Sequence, residues 1–112
     1  MRKTILFPVA LVMALTLTCA VRSAQAADEK AGEATYTAKC KMCHGATGMA
    51  NPAIAKMMNV EMKPLGGAEV QKLTNTDLSA TIKIGKGKMK PVAGLTDAQI
   101  GDVVAYLRTL KK

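Results

Sequence analysis

The sequence predicts an all-α fold of three to five short helices, on three observations. Ile100, Val103, Val104, Leu107 and Leu110 recur at helical spacing, whereas the apolar–polar alternation of a half-buried strand is missing over any useful length. Threonines stand where helices would begin, one of them with a glutamine three residues on. Clusters of glycine and proline at 45–52, 64–67 and 85–91 punctuate the chain too closely for long helices.

Taken in order, residues 1–26 read as a leader outside the fold. Arg2 and Lys3 precede an uncharged apolar run from Ile5 to Val21, and Ala24-Gln25-Ala26 has the small-x-small form of a signal-peptidase site. The run is short for the roughly 20 apolar residues of a membrane span, so export and cleavage are expected, with no stable membrane insertion afterwards. Cys19 lies in this leader, and Thr16-Leu17-Thr18 before it fits lipid processing poorly. The domain is then 27–112, with 13 basic and 8 acidic residues, a net charge of +5. A domain so small, whose Phe, Trp and Tyr residues are only Tyr36 and Tyr106, needs something other than bulky side chains at its centre.

The stretch from Glu29 to Cys43 is rich in helix formers, with Tyr36 and Cys40 on one face. A weaker segment follows at 55–62, as loop or short helix. Thr76 is the expected cap of a helix carrying Leu78 and Ile82 and ending at Gly85 in a left-handed conformation. Residues 86–91 form a loop. The last helix is the clearest: Thr96 is its N-cap, Gln99 completes a capping box, and Leu95 and Ile100 are placed as a hydrophobic staple.

Chemistry concentrates in Cys40-Lys41-Met42-Cys43-His44. Thiols at i and i+3 on a helix end reach two vinyl groups on one porphyrin edge, and the histidine at i+4 then lies under the iron. Cys40 and Cys43 are thus the covalent attachment points of one haem, and His44 is the proximal iron ligand. Three rivals fit less well. A disulfide between cysteines three apart on a helix is poorly shaped and closes a trivial loop. A thiol oxidoreductase places its Cys-x-x-Cys at the start of a helix after a strand. Zinc wants four ligands, and 27–112 holds only two cysteines and one histidine.

With no second histidine, the other face of the iron stays open or takes a methionine thioether. Met42 and Met49 are too close to the motif. Met57, Met58 and Met62 remain alternatives, although a methionine is more often core filler than a ligand. Met89 is preferred, because it stands in a Gly- and Lys-rich loop where an apolar residue has no packing reason to be.

With these residues in place, the chain resembles the class I bacterial c-type cytochromes, the cytochrome c6-like and c551-like monohaem electron carriers. The match runs over most of 29–110, through Cys40 to Gly45, Gly85 to Pro91, and the helix from Leu95 to Leu110. It implies the small cytochrome c fold, helices wrapped around one covalently bound haem c. It also implies crossed first and last helices that bring Gly32 and Tyr36 against Tyr106 and Leu107. Pro52 is implied to hold the His44 ring through its carbonyl, the alternative being an ordinary turn proline. Lys90 intervenes between Met89 and Pro91, where the family usually has proline directly after the methionine.

The expected function is periplasmic single-electron transfer with His44 and Met89 as axial ligands, and no reaction catalysed. Apolar walls are expected from Tyr36, Ile54, Leu65, Val70, Leu73, Leu78, Ile82, Val92 and Leu107. The alternatives are a haem enzyme or gas sensor with an open sixth site, or a small haem subunit of a larger oxidoreductase. Lys39, Lys41, Lys86, Lys88 and Lys90 would steer a monomeric carrier toward redox donors and acceptors with acidic docking surfaces. Nucleic acid is not an expected partner, since the compartment is wrong and stacking aromatics are missing.

Overall fold

The computed structural model describes residues 26–112. Apart from Ala26, the expected leader at 1–26 lies outside the described residues.

Among the described residues the chain is all helical, with six segments and no strand. Four have two or more turns, and two short single turns bring the count to six. The first helix, α1 (Glu29–Lys39), starts at Asp28, whose carboxylate accepts from the amides of Lys30 and Ala31. The expected run to Cys43 is not continuous. At Cys40 the backbone opens to φ −117°, and the single turn α2 (Lys41–His44) begins from it. Cys40 O accepts from the amides of both Cys43 and His44, so the whole motif forms one tight turn.

The uncertain middle segment is a helix, α3 (Pro52–Met58), and it starts three residues earlier than expected. Asn51 caps it through the Ala53 amide, Pro52 takes the N1 position, and left-handed Asn59 ends it. A further turn, α4 (Ala68–Gln71), has no sequence signal of its own. Next comes α5 (Asn75–Ile84), which is capped by Thr74 and not Thr76. Thr74 Oγ1 accepts from the Asp77 amide while Asp77 returns a bond from the Thr74 amide. This reciprocal pair outcompetes Thr76, which has no such partner three residues on. Gly85 has φ 84° but ψ 170°, so it turns the chain without the expected left-handed helical cap.

The last helix, α6 (Asp97–Thr109), has the expected Thr96–Gln99 capping box. Its stripe of Ile100, Val103, Val104 and Leu107 is buried together with Tyr36 from α1 and Leu78 and Ile82 from α5. Helices α1 and α6 cross where Gly32 meets the backbone of Asp102; a Cβ on Gly32 would lie 1.9 Å from Asp102 O. Around that crossing the Tyr36 and Tyr106 rings meet in a tilted pair, centroids 5.1 Å apart and planes at 54°, and the Asp28 amide donates to Asp102 Oδ1. The frame places Cys40, at the end of α1, beside the loop that leaves α5. No helix among the described residues is long and apolar enough to cross a membrane.

Candidate functional site

Between the α2 turn, the 58–65 segment and the loop after α5 lies a cleft with two lobes, of about 730 and 440 Å³. Cys40, His44 and Met89 line both lobes, and Cys43 lines the larger. Residues far apart in sequence are thus gathered on one concavity of the size that takes a cofactor. Tyr36, Leu65, Val70, Leu73, Leu78, Ile82 and Leu107 wall the smaller lobe and Val92 the larger. Ile54 is half-buried on α3 and lines neither lobe.

The chemistry of the thiols and the imidazole follows from this burial. Burial, and then the neighbouring Cys43, push the Cys40 thiol up. Burial pulls His44 down, so its ring is neutral, the form that offers a lone pair to a metal. Its Nδ1 is buried with no hydrogen-bond partner. The bond expected from this ring to the Pro52 carbonyl is not made; Pro52 is exposed at the first position of α3. Instead the turn after the motif is held by Tyr36, whose hydroxyl donates to Gly45 O at 2.6 Å. No disulfide joins Cys40 and Cys43. A neutral imidazole with an orphaned nitrogen, two thiols and a thioether on an apolar cleft fit a covalently held haem.

The Met89 loop is a tight reversal. The Lys86 amide donates to Met89 O at 2.9 Å and the Met89 amide returns to Lys86 O at 3.0 Å, while the Val92 amide ties the exit to Ile82 O. Met58 and Met62, the alternative thioethers, line the larger lobe too, whereas Met57 is 74% exposed. Lys39, Lys86, Lys88 and Lys90 surround that lobe with Lys63 and Glu61. Lys63 pairs with Glu69, and Lys88 Nζ donates to Met58 O at 2.7 Å across the mouth.

Sequence reasoning overlooked Arg108 and Gln71, which brace the smaller lobe from behind. The signal was there: Arg108 is the one arginine among thirteen basic residues of 27–112, and arginine offers a donor fork that lysine lacks.

A helical frame built around a Cys-x-x-Cys-His turn and an apolar cleft defines a c-type cytochrome. Residues 27–107 match the family described as cytochrome c oxidase, cbb3-type, subunit III. The chain is 37% identical to cytochrome c-555 of Chlorobaculum thiosulfatiphilum over 86 residues, covering 71% of this chain and 93% of the relative. It is 38% identical to cytochrome c-555 of Chlorobaculum tepidum over 91 residues, covering 76% and 79%. The solved structure of the KustC0563 c-type cytochrome superposes with a TM-score of 0.64 at 26% identity, covering 72% of this chain and 98% of that one. The chain belongs to the cytochrome c family, with covalently bound haem c as its cofactor and electron transport as its role.

Proposed function

We propose that this protein is an exported electron shuttle in which Cys40 and Cys43 carry one haem through thioether bonds and His44 and Met89 are the axial ligands. The observation that carries this reading is the convergence of all four residues on the larger lobe. Bound there, haem c supplies a reversible one-electron change at iron. The chain's own part is to hold and insulate. Neutral His44 is a donor needing no deprotonation. The Lys86–Met89 reversal presents its thioether from a fixed backbone, and a thioether favours the reduced metal. Leu65, Val70, Leu73, Leu78, Ile82 and Leu107 keep water from one flank and add to that preference. Electrons pass at the lobe mouth, where Lys39, Lys86 and Lys90, with Lys41 on the adjoining turn, draw acidic partners. The shuttle is monomeric and periplasmic.

The test combines intact mass and the pyridine haemochrome spectrum. A mass equal to residues 27–112 plus one haem, with the thioether-type spectrum, is the expected result. Met89→Ala removes the sulfur-to-iron charge-transfer band of the ferric protein and lets the reduced protein bind carbon monoxide; persistence of the band moves the ligand to Met58 or Met62. The family description, which names an oxidase subunit, favours one second reading, a haem subunit docked on a larger oxidoreductase. Stoichiometric co-purification with a membrane oxidoreductase would establish it.

A further inference from the structure

The smaller lobe's outer wall is made by the connection from 65 to 73, which places Leu65, Val70 and Leu73 on the cleft beside Leu107. Among the described residues, backbone hydrogen bonds tie that connection to the rest of the fold at two points, both near its start: the Leu65 amide donates to Gly48 O and the Lys112 amide to Gly66 O. Its only helix, α4, is one turn of four residues with no side-chain cap, too short to be stable alone.

Two side chains supply what the backbone lacks. Arg108, half-buried in the last turn of α6, donates from Nη1 to Gln71 O at 2.8 Å and to Gln71 Oε1 at 3.4 Å. From Nη2 it donates to Leu73 O at 2.6 Å and to Asn75 Oδ1 at 2.9 Å, and from Nε to the same Asn75 oxygen at 3.1 Å. Gln71 Nε2 in turn donates to Leu65 O and to Leu107 O, both at 2.8 Å. Every acceptor is a neutral carbonyl or amide oxygen, and neither ion pair among the described residues involves Arg108. Its charge is therefore spent on geometry, pinning the wall to α6 from the side away from the cleft.

We propose that Arg108 is a positioning residue for electron transfer: through Gln71, Leu73 and Asn75 it holds the 65–73 wall against the cofactor and so keeps the redox potential high. The proposal rests on the haem-cleft reading above. With the fork removed, the wall loosens and water reaches the apolar flank, which stabilises the oxidised, more charged metal. The arginine's own positive charge would act in the same direction through space. Lysine separates the two causes, because it keeps the charge and cannot span these acceptors.

The experiment measures midpoint potential, haem content and melting temperature on the holoprotein for wild type, Arg108→Lys, Arg108→Gln and Gln71→Met. All three variants are expected to retain one haem and to show a lowered potential, seen as a several-fold higher ferric-to-ferrous ratio at fixed solution potential. A wild-type potential in Arg108→Lys would overturn positioning in favour of charge. Wild-type potentials throughout, with only the melting temperature reduced, would make Arg108 a structural brace and overturn the proposal. If the Arg108 variants do not accumulate, Gln71→Met decides, a wild-type potential again being fatal. Absence of covalent haem in the wild type would instead sink the cleft reading itself, a distinct result from the same haem measurement.

Discussion

Two glycine-to-alanine changes in the helical frame should have opposite signs. A Cβ on Gly32 would sit 1.9 Å from Asp102 O, 2.5 Å from its carbonyl carbon and 3.0 Å from Tyr106 Cβ. Real Cβ atoms stay beyond 3.0 Å, so α1 and α6 must part by about 1 Å, and the obstacle is backbone with no rotamer to yield. Tyr36 and Val103, each 1% exposed, lose van der Waals contact as the gap opens. Overpacking of this kind costs about 3 kcal/mol, against a gain of about 1 kcal/mol in helix propensity. The net loss of about 2 kcal/mol corresponds to about 10 °C in melting temperature for a domain of this size. Gly101, in the interior of α6, has no atom within 4 Å of its would-be Cβ, so Gly101→Ala collects the propensity gain alone and should melt a few degrees higher. Far-ultraviolet circular dichroism melts of the two holoproteins decide it. A Gly32→Ala protein melting at or above the parent, or equal shifts in both, would refute the close crossing as the element that joins α1 to α6.

Other expectations follow from single contacts. Thr74→Ala should cost about 1 kcal/mol by urea denaturation and Thr76→Ala almost nothing, since only Thr74 has the reciprocal bond with Asp77. The Tyr36 phenol is pushed up from 10.0 to about 12, chiefly by burial. A raised folded value means the stabilisation is complete below pH 10 and is lost as pH rises through 12. Tyr36→Phe should therefore be less stable than the parent below pH 10, by about 1 kcal/mol for the bond to Gly45 O. The difference should shrink toward pH 12 in urea melts. Gly85→Ala puts a Cβ 2.5 Å from Met89 O at φ +84°; the ferric charge-transfer band should weaken as the Met89 loop shifts, while haem content stays unchanged.

What could be read from residue order was whatever is decided within about four residues. The Thr96–Gln99 box, the Ile100 to Leu107 stripe and the Cys40 to His44 turn are local in this sense, and the structure has each of them. Where two local signals competed, chain order alone did not choose. Thr74 displaced Thr76 because Asp77 answers it, and Asn51 with Pro52 began α3 ahead of the expected start.

The sequence by itself thus determined the helical class, the pair of thiols beside a histidine, and a methionine in a loop with no packing reason for it. Only the tertiary structure decided that these share one cleft, that Lys88 reaches across its mouth to Met58, and that Arg108 braces its wall. The difference is one of range. Capping and helical periodicity are settled by neighbours along the chain, whereas a cleft is settled by where α1 and α6 cross. That crossing is set by a glycine and a backbone carbonyl seventy residues apart.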